Sequence, residues 1–240
     1  RVAQAIAHLH ALVPQWLQRT GVPGAAVAVV YQGQVRHTAG YGLRRIDASD
    51  RIDADTVFQL ASLSKPIGAT VMAAHMGSKT GLSWDTPIQQ LIPDFSLAYP
   101  DASFNARLTL GDLYAHRSGL PDHAGDTLED LGYNRNEILQ RLRQAALHDW
   151  GQYDYTNFGL TAAAQAMSRA QSQDWADLST SSLYQPLGMQ RSSSRFSDFS
   201  ALQNRAWGHV QADLDYASYG AFPANYLMQQ PPRQADAQSP

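Results

Sequence analysis

Ser62 and Lys65 stand three residues apart in Ser62-Leu63-Ser64-Lys65, a Ser-x-x-Lys tetrad. A serine hydroxyl is a weak nucleophile at neutral pH and needs a base beside it. The tetrad follows the apolar run Val57-Phe58-Gln59-Leu60-Ala61 and opens a stretch that reads as helix from Pro66 to Met76. Residues three apart share a helix face, so the Lys65 amine would stand beside the Ser62 hydroxyl. Pro66 suits the first turn, where its missing N–H costs nothing. Free backbone N–H groups at a helix start can stabilise negative charge on a carbonyl oxygen. The chemistry implied is attack of the Ser62 hydroxyl on a carbonyl carbon. Taken alone, the tetrad more often describes a helix cap followed by a solvated lysine.

A second constellation lies far downstream, in Gln152-Tyr153-Asp154-Tyr155-Thr156-Asn157-Phe158-Gly159. Tyr155-x-Asn157 would place a phenol and a carboxamide side by side at the entry to a helix. A phenol next to Lys65 can relay protons. The Asn157 amide can hold Lys65 with its oxygen and a substrate carbonyl with its nitrogen. The competing reading is structural, with Asn157 as the N-cap of the following helix. Tyr153 competes with Tyr155, because positions two apart point the same way on an extended segment. Only Tyr155 has an asparagine two residues on.

The elements that must position these residues read in order along the chain. Val2, Ile6, Leu9, Val13 and Leu17 recur at intervals of three and four, which predicts an amphipathic helix over Val2–Leu17. Gly21-Val22-Pro23-Gly24 breaks it. Ala25–Tyr31 and Gln34–Tyr41, joined at Gln32-Gly33, predict a β-hairpin whose nearly all-apolar first strand should be buried on both faces. Thr80–Asp94 reads as loop. Helices are predicted over Leu108–His116, Asn136–His148, Thr156–Arg169 and Asp174–Leu183. Beyond Ser192 the pattern loosens, and Pro231–Pro240 reads as loop or frayed tail. The organisation expected is an N-terminal helix and hairpin over residues 1–60, an all-α region over 61–205, and a returning loop segment over 206–240.

The chain has 240 residues, 44% hydrophobic and 16% charged, enough for a substantial core. A net charge of −3 points away from nucleic acid or an anionic membrane as partner. Without cysteine there is no disulfide, thiol nucleophile or thiolate metal site. No run of 18 apolar residues predicts a transmembrane helix.

Four segments in order carry a family resemblance: Phe58-Gln59-Leu60-Ala61-Ser62-Leu63-Ser64-Lys65, His116-Arg117-Ser118-Gly119-Leu120-Pro121, Tyr155-Thr156-Asn157-Phe158-Gly159, and Pro186-Leu187-Gly188-Met189. Together they resemble the serine β-lactamase and penicillin-binding protein superfamily, in its class C β-lactamase-like branch of β-lactamases, carboxylesterases, D-aminopeptidases and DD-peptidases. The resemblance runs from about Val2 to about Met189. It implies an α/β fold of the α+β type. In that fold an antiparallel sheet flanked by helices is built from both chain ends, an all-α region is inserted between them, and the site lies where the two meet. It implies that Ser62 becomes acylated, that Lys65 and Tyr155 share the acid–base work, that Asn157 orients, and that the Ser62 N–H supplies half of an oxyanion hole. Water then releases the acyl group. No cofactor or metal is implied. The partner expected is a small-molecule substrate: a β-lactam, a D-alanyl peptide or a small ester. Periplasmic or secreted location is implied by the resemblance alone.

The chain departs from the family pattern at its third motif, Lys-Thr-Gly or His-x-Gly. The nearest strings, His37-Thr38-Ala39-Gly40 and Trp207-Gly208-His209, do not sit in the expected place. The family's last strands and C-terminal helix are also expected beyond residue 240. The expectation is therefore a partial chain, completed by a C-terminal fragment or second polypeptide. The alternatives are a non-catalytic penicillin-binding or peptidoglycan-sensing module, or a carboxylesterase with little β-lactam turnover. Other candidates read as structural. His8 and His10 face different ways on a helix, and His116 and His123 flank a loop without metal-ligand spacing. Ser64 lines the site without being the nucleophile, Ser118 is a turn residue, and Asp122 and Asp126 are solvated loop charges. Ala163, Ala164 and Met167 belong to the core.

Overall fold

A computed structural model describes residues 1–77, 79–211 and 227–229. Contacts divide the chain into two units. One holds Arg1–Gln59 with the described part of Ser197–Arg233, and the other holds the helical stretch Leu60–Phe196.

The first unit opens with helix α1, Val2–Thr20, which runs through Pro14 and stops at Gly21 in a left-handed conformation (φ 71°). Strands β1, Gly24–Tyr31, and β2, Gln34–Gly42, form the predicted antiparallel hairpin, with Gly24 opposite Gly42 and Tyr31 opposite Gln34. Helix α1 packs against both strands. The expected burial on both faces of β1 is not observed. Ala25, Val27 and Val29 are half-buried, while Ala26, Ala28 and Val30 alternate with them as exposed residues. A strand alternates its side chains between faces, and among the described residues this one belongs to a two-stranded sheet. The chain returns to this unit after residue 196. The Val57 N–H donates to the Asn204 carbonyl, the Ala206 N–H to the Val57 carbonyl, and the Trp207 N–H to the Arg44 carbonyl. Asn204 also donates to both oxygens of Asp53 (2.9 and 3.1 Å), and with Thr56 holds that carboxyl below its ordinary pKa.

The helical unit holds the large core. Helix α2, Ser64–Ala74, follows a 3-10 turn over Ala61–Leu63. Short helices α3, Ser103–Arg107, and α4, Leu110–Tyr114, come next; α4 starts at a capping box between Thr109 and Asp112. Helices α5, Asp126–Asp130, and α6, Arg135–Arg141, precede α7, Asn157–Ala170. Helix α8, Trp175–Ser179, is capped by the Asp174 side chain and continues as a π-helical turn, Thr180–Tyr184. Helix α9, Phe196–Ala201, begins the return to the first unit, whose strands β3, His209–Gln211, and β4, Leu227–Gln229, pair antiparallel. Among the described residues no helix is long and apolar enough to cross a membrane.

Helix α7 is the axis of this core. Phe158, Ala162, Ala163, Ala166 and Met167 are fully buried, and Ala164 is nearly so. Its alanines let neighbours approach on several sides. Val71 and Met72 of α2, Leu113 of α4, Ile138 of α6 and Leu178 of α8 join it in one continuous cluster.

Helix α6 is shorter than the apolar spacing predicts. It ends at Arg141, passes through a 3-10 turn over Leu142–Gln144, and leaves the helix at Ala145. Tertiary hydrogen bonds claim the next residues. The His148 N–H donates to the Gly119 carbonyl (2.8 Å) and the Gly151 N–H to the Arg117 carbonyl (3.0 Å). Gly119 is required there, since a Cβ at its φ of +75° would lie 2.9 Å from the His148 carbonyl oxygen. Two further bonds, Asp154 N–H to His116 carbonyl and His123 N–H to Tyr155 carbonyl, carry the strap to the start of α7.

Candidate active site

The four chemistry-bearing residues come together at the start of two helices of the helical unit. Ser62 lies in the 3-10 turn ahead of α2, and Lys65 in its first turn. The lysine folds back along that turn, and its Nζ donates to Ser62 Oγ at 3.1 Å. The Tyr155 hydroxyl reaches the same Oγ at 2.6 Å. Asn157 is the first residue of α7, and its Oδ1 accepts from Lys65 Nζ at 2.7 Å. Lys65 Nζ also lies 4.7 Å from the centre of the Tyr155 ring, within cation–π range. Thr156, not Asn157, occupies the N-cap of α7, which leaves the Asn157 side chain for the site.

Burial grades across the cluster. Ser62 is exposed, Lys65 and Tyr155 are half-buried, and Asn157 is buried. Ser62 thus faces solvent while the groups behind it are held in the protein. Tyr153 is exposed and packs edge-on against His116 (5.6 Å between ring centres). Tyr155 is the phenol that reaches Ser62.

Two histidines bracket Tyr155. The His116 ring stacks on it with centres 4.7 Å apart, and the His123 ring lies tilted at 5.4 Å. His116 Nδ1 accepts from the Thr156 N–H at 3.1 Å, so that nitrogen carries no proton. Burial, and then the Lys65 charge, hold His116 below its ordinary pKa, while Asp122 opposes them. These two residues read in sequence as the flanks of a loop. The structure gives them a different place, on either side of the phenol.

Asp126 corrects a second reading. Its carboxylate is no freely solvated charge. The Oδ2 atom accepts from Asn157 Nδ2 at 2.9 Å and lies 2.8 Å from His123 Nδ1. One Asn157 amide hydrogen expected to face a substrate carbonyl is therefore engaged by Asp126, leaving the other. Gly125 makes the approach possible. A Cβ there would lie 2.7 Å from Phe158 and 2.9 Å from Ile138, at a φ of +97°. The sequence signal was slight: a glycine-acid pair at a helix start, with its partner on another element.

Three non-glycine residues of the site hold a left-handed backbone: Ala61 (φ 47°), His116 (φ 58°) and His123 (φ 57°). Such conformations cost roughly 1–2 kcal/mol each in an L-residue and persist where surrounding structure over-determines them. Ala61 directly precedes Ser62, and the histidines flank the ring of Tyr155.

The fold is that of penicillin-binding protein homologues. The octameric homologue from Pyrococcus abyssi superposes with a TM-score of 0.75 at 20% identity, over 94% of this chain and 50% of that one. Residues 2–228 match the Beta-lactamase family, and the chain belongs to it. Among curated relatives, the esterase EstB of Burkholderia gladioli is 29% identical over 205 residues, covering 78% of this chain and 51% of that protein. The unguisins hydrolase ungD' of Aspergillus campestris is 28% identical over 187 residues, covering 74% of this chain and 34% of that protein. The chain therefore spans between a third and a half of the length of these relatives.

Proposed function

We propose that this chain carries the nucleophile of a serine hydrolase that works through an acyl-enzyme on Ser62. The observation that carries the reading is the convergence on one oxygen. Ser62 Oγ is met by Tyr155 Oη at 2.6 Å and Lys65 Nζ at 3.1 Å, with Lys65 held from behind by Asn157 Oδ1 at 2.7 Å. Membership of the Beta-lactamase family and likeness to an esterase support it.

In this reading Ser62 Oγ attacks the carbonyl carbon of a small ester, a β-lactam or a D-alanyl peptide. Its proton passes to the Lys65–Tyr155 pair and then to the leaving group as the acyl bond breaks. The Ser62 N–H faces the developing oxyanion. A water, deprotonated by the same pair, then releases the acid and restores the hydroxyl. Ser62, Lys65 and Tyr155 all lie within the helical unit, with Ser62 Oγ inside hydrogen-bond reach of both partners.

Intact-protein mass spectrometry before and after exposure to a penicillin or a p-nitrophenyl ester tests this. The expected result is an acyl adduct mapped to Ser62, or substrate consumed without one when deacylation is fast. Ser62→Ala should show neither adduct nor turnover. Acylation or turnover by Ser62→Ala at the parent rate would overturn the assignment. A stable adduct without turnover would mark a penicillin-binding module rather than a hydrolase.

A further inference from the structure

We propose that Asp126, held by His123, is a positioning residue that sets the orientation of the Asn157 amide and through it the placement of Lys65. This rests on the hydrolase reading above.

The argument starts from what each group can accept or donate. A carboxamide has one accepting and one donating end, and turning it end for end exchanges them. A deprotonated carboxylate only accepts. Asp126 Oδ2 lies 2.9 Å from the Asn157 amide, so the NH2 end must face it. The opposite end, Oδ1, is thereby fixed toward Lys65 Nζ at 2.7 Å. With the amide reversed, two donors would meet at Lys65 and two acceptors at Asp126. The Asn157 side chain is buried, so neither mismatch would be relieved freely by solvent.

His123 engages the same carboxylate oxygen. Its Nδ1 lies 2.8 Å from Asp126 Oδ2 and donates to it. The same residue anchors Tyr155, since its backbone N–H donates to the Tyr155 carbonyl and its ring flanks the phenol. An unbroken series of bonds thus runs from His123 through Asp126 and Asn157 to Lys65 and Ser62. Asp126 bonds to Asn157 and His123 and not to Ser62, so it acts as a positioning residue, and the Asn157 amide is the bond that leads from it to Lys65.

The test compares Asp126→Asn and Asp126→Ala with the parent protein, using pre-steady-state acylation by a p-nitrophenyl ester. Asp126→Asn keeps the volume and offers an end that can donate, which removes the constraint on the amide. Acylation should fall at least about tenfold in both variants, the scale at which misplaced reacting groups cost rate, while KM changes by less than about threefold. Asp122→Asn is the control. Its carboxylate lies 3.8 Å from His123 Nε2 and makes no bond to Asn157, so the rate should stay within about twofold. An Asp126→Asn protein with the parent acylation rate would overturn the proposal.

A second readout is independent of turnover. In 15N-labelled protein the Asn157 side-chain amide resonance should shift in Asp126→Ala and not in Asp122→Asn. An unshifted resonance would overturn the proposal even if the rate fell. If Ser62→Ala acylated as fast as the parent, the hydrolase reading would fail, and this resonance would still decide whether Asp126 orients Asn157.

Discussion

The two units differ in how their sequences are held. In the helical unit whole side chains vanish from solvent: Phe158, Met72, Ile88, Leu108, Leu113 and Leu178 are each fully buried or within 2% of it. In the hairpin unit the buried side chains among the described residues are Val13, Ile52, Thr56 and Ala206. Hydrogen bonds carry more of the order there, through the β1–β2 ladder and the Asp53–Thr56–Asn204 cluster. The site sits on the densely packed unit. A hydroxyl held within a hydrogen bond of two partners, as Ser62 Oγ is, needs rigid support, and close packing supplies it.

The largest expected effect breaks that support. Phe158→Ala, one residue beyond Asn157, should cost about 3–5 kcal/mol, as large-to-small changes at fully buried aromatics do. Denaturant unfolding would measure it, and a loss below about 1 kcal/mol would remove the contrast between the units.

The next effect concerns pH. His116 titrates below its ordinary value of 6.5 in the folded protein. Between that lowered value and 6.5 the unfolded chain binds the extra proton, so this contribution to stability is complete above pH 6.5 and lost as pH falls through the window. Protonation would also place a donor at Nδ1, against the Thr156 N–H. His116→Asn offers that N–H an acceptor without titrating. Its unfolding free energy should therefore fall less steeply than the parent's from pH 7 toward pH 5. Parallel pH profiles would show that His116 does not set this slope.

The smallest effect lies on the hairpin. Val30 is 63% exposed on β1, so Val30→Thr should change stability by less than about 0.5 kcal/mol. A larger loss in thermal unfolding would mean that the outer face of the strand is more closely packed than its exposure indicates.

What could be read from the sequence follows the same division between local and distant causes. Ser62 and Lys65 were visible because three-residue spacing acts within one helical turn. Tyr155 and Asn157 were visible as a pair for a similar reason, although only the fold brings them to Ser62. The C-terminal end of α6 was hidden because apolar periodicity continues to Leu147 while the His148 N–H bonds to Gly119, far away in sequence. The alternation in β1 was hidden because both of its faces carry apolar residues, so the letters show no period. Asp126 was hidden because a polar loop carboxylate looks the same in sequence whether it meets water or an amide 31 residues on.

Ser62, Lys65, His116, His123, Asp126, Tyr155 and Asn157 all belong to the stretch Leu60–Phe196. The hydrogen-bonded cluster is thus continuous with one packed unit of the chain. Every hydrogen bond described among these seven residues is made within that one stretch. A single segment of consecutive residues carries the whole hydrogen-bonded cluster, from the turn before α2 to the end of the π-helical turn and beyond.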